Sequence, residues 1–166
     1  MTPVSKLNAF HEAGHAAAYC LHGSLRWVGL VDDEDVAGLT CGATSVLHRG
    51  FASYAGPWAA ARLMWGTSDL RGQDADGYEF PDHVVGMLHE EATGDLTELQ
   101  AHWDRYPMPA EERLREQADW DRDLNHLWPA IEAIAYGILA GEDPDAIVDL
   151  AGRQVAAWAD VHGIVR

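Results

Sequence analysis

The feature that most constrains the fold is a helical pattern near the start of the chain that places two histidines one turn apart. Small and apolar side chains recur there every three or four residues, which is the periodicity of a helix with a buried face. Thr2 followed by Pro3 is a favourable helix start, and Gly23 is a favourable helix end. The pattern therefore predicts a helix from about Pro3 to Leu21.

The two histidines belong to the sequence His11-Glu12-Ala13-Gly14-His15, which has the pattern H-E-x-x-H. Residues four apart are neighbours on a helix face, so both imidazoles can bind one zinc ion. Glu12 lies about 100° round the helix, where its carboxylate can reach a zinc-bound water rather than the metal. Zinc lowers the pKa of that water toward about 7, Glu12 takes its proton, and the hydroxide attacks a carbonyl that the metal polarises. The motif therefore predicts amide hydrolysis, with His11 and His15 as ligands and Glu12 as general base.

A catalytic zinc ion needs a third protein ligand, which the motif does not supply. His22 lies on nearly the same helix face as His15, but two turns place it roughly 10.5 Å farther along the axis, so the two cannot share an ion. We therefore expect the third ligand to come from farther along the chain. The candidates are Asp69, Asp74, Asp76, His83, His89, Glu90, Glu91 and Asp95.

The chain after the first helix continues with two short segments that are rich in β-branched residues and glycine. Leu25–Val31 and roughly Val36–Leu47 flank the acidic run Asp32–Asp35, which predicts a β-hairpin with a solvated turn. The rest is mainly helical, and 166 residues suit one globular domain. We therefore expect an α+β fold over residues 1–166, a mostly helical single domain with a small N-terminal β-hairpin or sheet and a zincin-like HExxH helix.

Start and stop signals divide the remaining chain into helices and one long loop. Asp95 and Glu98 form a capping-box pattern, and Pro57 and Pro129 are expected to bend or break the helices that contain them. The loop is rich in glycine and aspartate and lacks periodicity. The expected helices are Phe51–Trp65, Pro81–Glu91, Asp95–Arg105, Pro109–Ala140 and a last helix between Pro144 and Gly163, and the expected loop is Thr67–Phe80.

The charge and the cysteine content of the chain limit the classes of partner and the cellular compartment that we expect for it. The chain has 27 acidic and 11 basic side chains, a formal charge of −16, and Lys6 as its single lysine, so it offers no basic face for nucleic acid. No apolar run approaches the roughly 18 residues of a membrane helix, and no secretory signal is visible. Cys20 and Cys41 form neither a disulfide framework nor a zinc-ribbon spacing. We therefore expect a cytoplasmic protein that binds neither nucleic acid nor a membrane.

The motif helix and two later segments share their residue patterns with one protease family. Phe10–Ala18 reads FHEAGHAAA, Tyr54–Gly66 reads YAGPWAAARLMWG, and Thr93–Leu99 reads TGDLTEL. They resemble, in turn, the H-E-A-G-H-A motif, the L-A-G-R-A-A-E-E-x-x-F-G helix and the G-x-x-x-D-L-x-x-A segment of FtsH-type zinc proteases, and the last third resembles that family's closing helices. In that family the aspartate of the third segment is a zinc ligand. The resemblance therefore implies a zinc metalloendopeptidase that binds its metal through the two motif histidines and Asp95.

The chain also departs from the family pattern. Ala60 and Ala61 stand where the family has paired glutamates, and the insertion Thr67–Glu91 is longer than the family pattern leads us to expect. FtsH-type proteases join this domain to an ATP-driven unfoldase and a membrane anchor, but the chain has no G-x-x-x-x-G-K-[ST] sequence. We therefore expect a free-standing peptidase domain that lacks its own motor.

The identity of the third ligand stays open between two aspartates. Asp69 lies in Gly-Thr-Ser-Asp-Leu, which imitates a G-x-S-D-L segment, but Arg71 and a glycine follow it and no helix begins there. Asp95 opens a predicted helix, and could equally serve as an ordinary N-cap beside Glu98. The resemblance favours Asp95, with Asp69 as the alternative.

Two functions follow from these observations. The first is a zinc metallopeptidase that cleaves flexible peptides or a specific protein partner, with the strands of Leu25–Leu47 as an edge for an extended peptide. Such an enzyme could act as a homo-oligomer or beside a partner unfoldase. The alternative is a catalytically silent, peptidase-like interaction module that offers a partner an acidic surface with tryptophans.

Overall fold

The computed structural model describes residues 3–31 and 38–164, with side chains from residue 6 onward. Within these ranges the chain forms six α-helices and one two-stranded antiparallel sheet, so the expected mostly helical α+β class is confirmed. A short 3₁₀ helix, Val46–His48, follows the sheet. The elements are α1 (Pro3–His22), β1 (Gly23–Gly29), β2 (Leu39–Thr44), α2 (Arg49–Trp65), α3 (Phe80–Glu90), α4 (Thr93–Arg105), α5 (Ala110–Ala140) and α6 (Pro144–His162).

The two strands pair antiparallel, from Gly23 opposite Thr44 to Gly29 opposite Leu39. β1 begins and ends two residues earlier than predicted, and β2 is shorter than predicted because the chain beyond it turns into the 3₁₀ helix. The expected turn at Asp32–Asp35 lies outside the described residues. Gly23 is the first residue of β1 and does not cap α1 as predicted. A side chain at this position would collide with the facing strand.

Helix α1 lies in the core, where all five of its alanines are fully buried. It contacts α2, α5, α6 and both strands. A Cβ at Gly14 would collide with the carbonyl oxygen of Ala55 and approach the Cβ of Ala59 to 2.9 Å, so α1 and α2 cross with their backbones close together. On its α5 side the ring of Phe10 lies 5.4 Å from that of Trp128. The turn that carries the H-E-x-x-H motif is thereby fixed against α2.

Two helices run through prolines at which the sequence predicted a bend or a break. Pro57 lies inside α2 and Pro129 inside α5, and each helix is continuous. Proline removes one backbone hydrogen bond and crowds the preceding turn. Here the neighbouring residues, such as Trp58 and Ala130, are fully buried, so core packing holds the helix across the defect. The predicted restart of α2 and break of α5 are therefore wrong.

The last helix follows its sequence signals closely. The Asp143 side chain accepts a hydrogen bond from the backbone N–H of Asp145, and Gly163 ends the helix with a φ of 65°, a left-handed conformation that favours glycine. Both predicted ends of α6 are confirmed. Among the helices described, none combines the length and apolar character needed to cross a membrane.

Candidate metal centre

Three side chains from two distant helices converge on one point. His11 and His15 extend from successive turns of α1, and Asp95 reaches them from the first turn of α4. The two histidine Nε2 atoms are 3.0 Å apart. Asp95 Oδ2 lies 3.2 Å from the Nε2 of His11 and 3.3 Å from that of His15. No other group of three histidine, cysteine or acidic side chains in the described ranges clusters in this way.

The spacing of these donor atoms fits a tetrahedral zinc ion. Zinc bonds to nitrogen and oxygen of about 2.0–2.1 Å place two tetrahedral ligand atoms about 3.3–3.4 Å apart. The measured separations of 3.0, 3.2 and 3.3 Å are close to that value. Two imidazoles and one carboxylate are ordinary zinc ligands, and three protein ligands leave the fourth position for water or substrate, as in catalytic zinc sites. The residues therefore fit zinc by chemistry and by spacing.

The backbone of α2 orients one of the two histidines. His15 Nδ1 donates a 2.8 Å hydrogen bond to the carbonyl oxygen of Ala52. This bond leaves the lone pair of His15 Nε2 directed at the other donor atoms, an arrangement typical of metal-binding histidines. The His15 ring also packs on Gly56, where a Cβ would lie 2.6 Å from Cε1 of the ring. The motif supplies the His15 side chain. Helix α2 sets the orientation of the His15 ring and determines which ring nitrogen carries the proton.

Asp95 faces the two motif histidines and does not cap its own helix. Helix α4 begins at Thr93, two residues earlier than predicted, with Ala92 in the N-cap position. Asp95 is therefore in the first helical turn, and its carboxylate faces the histidines of α1. The predicted capping box with Glu98 is wrong for this reason. A carboxylate in the first turn also interacts favourably with the helix dipole.

Electrostatic attraction links the carboxylate and the imidazoles. Burial alone would raise the pKa of the Asp95 carboxyl, but hydrogen bonds and positive charge from His11 and His15 hold it well below its usual value. Burial alone would lower the pKa of His15, but the hydrogen bond and charge of Asp95, with smaller contributions from Glu12 and Ala52, raise it to about 9. The cluster therefore favours positive charge beside an ionised carboxylate, and a divalent cation can replace the bound protons.

Glu12 lies beside the three donor atoms and is held by the sheet. The hydroxyl Oγ1 of Thr40, on β2, donates a 2.6 Å hydrogen bond to Glu12 Oε2. A Cβ at Gly38 would lie 2.8 Å from Glu12 Oε1, so the backbone at the start of β2 packs directly on the carboxylate. Only 8% of Glu12 is exposed. Its Oε1 has no hydrogen-bond partner among the described residues, which leaves this oxygen available to accept a proton.

A cleft of about 410 Å³ opens over the three donor atoms and Glu12. Its walls come from β2, from the start of α4 and from Ala52 and Ser53 on α2. Tyr19, one helical turn beyond His15, also lines it, although the sequence analysis did not select this residue. Burial raises the pKa of the Tyr19 phenol and the charge of Asp95 adds to the effect, so the phenol is a hydrogen-bond donor at neutral pH. Spacing along α1 was the signal that could have revealed Tyr19.

The other candidate ligands lie outside this cluster. Asp69 is exposed and forms an ion pair with Arg71, with 3.0 Å between Oδ1 and Nε. Asp74 accepts a 2.9 Å hydrogen bond from His83 Nε2, which secures the loop before α3. The structure therefore brings Asp95, and not Asp69, to the motif histidines. The exposed candidates are Asp76, His89, Glu90 and Glu91, the last of which lines the cleft.

Comparison of the chain with protein-family models, with curated proteins and with solved structures gives no match. A functional argument therefore depends on the site itself. The relevant facts are the chemistry of the donor atoms, their separations, the orientation of His15 and the position of Glu12 beside them.

Proposed function

We propose that this protein is a zinc-dependent metalloendopeptidase with a zincin-like H-E-x-x-H helix. The observation that carries the proposal is the convergence of Asp95 with His11 and His15, because the motif does not encode the third ligand. The resulting ligand set agrees with the one that the resemblance to FtsH-type peptidase domains implies. Glu12 beside this set adds the general base that amide hydrolysis requires.

Each residue around the centre has a separate role in the proposed reaction. A zinc ion there would lower the pKa of a bound water toward about 7 and polarise a substrate carbonyl. Thr40 occupies Glu12 Oε2, so Oε1 is the atom that takes the proton and later returns it to the leaving amine. Tyr19 would donate a hydrogen bond to the carbonyl oxygen as its negative charge develops.

An extended peptide is the substrate shape that suits this cleft. Leu39 and Thr40 of β2 line it, and β2 pairs only with β1 among the described residues. A peptide that adds as a further strand would present its scissile bond beside Glu12 in one direction. Flexible peptides or unfolded segments of a protein partner are therefore the proposed substrates. The enzyme could act as a homo-oligomer, or beside a partner unfoldase that unfolds its substrates, and we place this activity in the cytoplasm.

Metal content is the experiment that tests the site. The purified full-length chain is incubated with zinc at neutral pH, and bound zinc is measured for the wild type, Asp95→Ala and Asp69→Ala. We expect about one zinc per chain in the wild type and in Asp69→Ala, and at least about tenfold weaker binding in Asp95→Ala, as expected when one of three ligands is lost. Absence of zinc from the wild type, or equal loss in both variants, would contradict the proposal.

Cleavage separates the enzyme from the silent interaction module. Glu12→Gln removes the base but keeps the size of the side chain, so we expect unchanged zinc content and a loss of peptide cleavage of about 10²–10⁴-fold. The alanines in place of the family's paired glutamates, Ala60 and Ala61, are fully buried, and they are the observation that favours the alternative. Equal behaviour of Glu12→Gln and wild type against a broad peptide library would support that alternative.

A further inference from the structure

The cleft over the metal centre continues into a second cavity. This second cavity has a volume of about 380 Å³ and shares four lining residues with the first. The shared residues are Tyr19, Ala52, Ser53 and Glu98. The two cavities therefore form one groove, which we call the β2 groove, with α2 as its floor and β2 as one wall.

The course of β2 sets the length of this groove. Thr40 lies at the metal end, where it holds Glu12, and Thr44 lines the far end. Thr44 is four positions farther along the strand than Thr40, which corresponds to about 13 Å at 3.3 Å per residue. A peptide extended along β2 would therefore reach the far end with the residue three or four positions from its scissile bond.

The two ends of the groove differ in charge. Close to the metal centre the charged lining side chains besides the ligands are Glu12 and Glu91, while Glu98 lines both cavities. At the far end stands Arg49, the first residue of α2 and the single lysine or arginine that lines either cavity. Among the described residues Arg49 forms no ion pair, although Glu98 lines the same cavity.

We propose that Arg49 forms a binding site for a carboxylate of the peptide substrate, three or four residues from the scissile bond. The inference rests on the proposed peptidase function and adds a substrate class to it. A guanidinium can hold a carboxylate through two parallel hydrogen bonds, which gives both affinity and direction. Because the rest of the chain is strongly acidic, such a local positive site also determines where an acidic peptide can bind at all. The carboxylate belongs to an aspartate or glutamate side chain, or to the C-terminus of a short peptide.

Peptide libraries that differ only in the C-terminal group show whether the carboxylate belongs to a side chain or to the C-terminus of the peptide. We would use octapeptide pools that are randomised except for one position fixed as glutamate or glutamine, each prepared with a free C-terminal carboxylate and with a C-terminal amide. Cleavage by the zinc-loaded protein is read by mass spectrometry. We expect about tenfold faster cleavage of one glutamate pool, or of the free acids over the amides, as for a charge-assisted hydrogen bond.

Variants of two arginines show whether the preference belongs to this site. Arg49→Gln should abolish the preference without changing zinc content, and Arg49→Lys should retain part of it. Arg153→Gln is the matched control, since it removes the same charge from an exposed position on α6 outside both cavities. A preference that survives Arg49→Gln, falls equally in Arg153→Gln or favours basic peptides would overturn the inference.

Binding to the inactive protein separates this inference from the proposed function. The same pools, labelled with fluorescein, are titrated with zinc-loaded Glu12→Gln and with the double variant Glu12→Gln/Arg49→Gln, and anisotropy is recorded. If the wild type cleaves nothing but the glutamate or free-acid pools bind about tenfold more tightly through Arg49, the peptidase proposal fails and the carboxylate site stands. If binding of all pools is weak or independent of Arg49, the carboxylate site is refuted whatever the cleavage result.

Discussion

The Thr40 hydroxyl oxygen lies 2.6 Å from Glu12 Oε2 and 3.1 Å from the backbone carbonyl oxygen of the same glutamate. This contact joins the sheet to the motif helix across 28 residues of sequence. It fixes one carboxylate oxygen, and the other has no hydrogen-bond partner among the described residues. The sheet therefore has a part in the candidate site as well as in the fold.

Removal of this hydroxyl should impair cleavage without affecting the metal. Thr40→Val keeps the shape of the side chain but leaves Glu12 free to rotate, so we expect kcat/KM to fall about tenfold, the cost of one hydrogen bond to a charged group. Zinc content should stay at the wild-type level. Peptide-cleavage kinetics and metal analysis on the same preparations check both expectations.

Two control variants show whether the hydroxyl itself matters. Thr40→Ser should restore most of the activity, because it retains the donor. Thr97→Val removes a hydroxyl that bonds only to its own helix, at the Thr93 carbonyl oxygen, and should be neutral. Wild-type kinetics in Thr40→Val would show that Glu12 needs no support from β2.

A methyl group at Gly56 should displace a metal ligand. A Cβ there would lie 2.6 Å from Cε1 of the His15 ring, and the buried position leaves the ring little space to move aside. We expect Gly56→Ala to weaken zinc binding at least about tenfold, since ligand geometry tolerates only small shifts. Zinc titration and circular dichroism report binding and helicity separately.

Gly152→Ala is the matched control for this substitution. Gly152 is exposed on α6, and its Cβ would meet no atom within 4 Å. The change should leave zinc binding intact and stabilise the helix by about 0.5–1 kcal/mol. A wild-type zinc affinity in Gly56→Ala would mean that the His15 ring does not need the space that this glycine provides.

A half-buried pair of histidines away from the metal centre should make the stability of the protein depend on pH. His22 ends α1 and stacks on His48, with ring centroids 4.1 Å apart. Burial, with a smaller effect of His48, lowers the pKa of His22 to about 4. Because the unfolded value is about 6.5, the unfolded chain binds the proton more tightly. Stability should therefore be complete above pH 6.5 and fall as the pH drops toward 4.

Chemical denaturation in the presence of a chelator measures this effect without interference from zinc binding. His22→Phe keeps a ring in the stack but cannot be protonated. Between pH 7 and pH 5 we expect the wild type to lose about 1 kcal/mol more of unfolding free energy than His22→Phe, after allowance for solvent screening of a partly exposed group. His89→Gln, at an exposed position, should behave like the wild type. Identical pH profiles for the wild type and His22→Phe would contradict the assignment.

The sequence determined the parts of this protein that depend on local geometry. A helix fixes the separation of residues four apart, so the pattern of His11 and His15 predicted a shared site without any knowledge of packing. The ends of α6 followed from Asp143 and Gly163 because caps and left-handed glycines act within a few residues. The strand pair was also predictable, although the length of β2 was not, since the 3₁₀ turn after this strand left no clear local signal.

Tertiary structure decided what depends on contacts between distant segments. The sequence left Asp95 and Asp69 as alternative ligands. Helices α1 and α4 both pack on α2, and this packing brings Asp95 of α4 to the histidines of α1. In the packed structure α4 begins at Thr93 instead of the predicted Asp95. Asp95 therefore lies in the first helical turn and not at the N-cap. Thr40 entered the site only through strand pairing. Each of these outcomes depends on the burial of side chains that are far apart in sequence, and local propensity carries no information about such contacts.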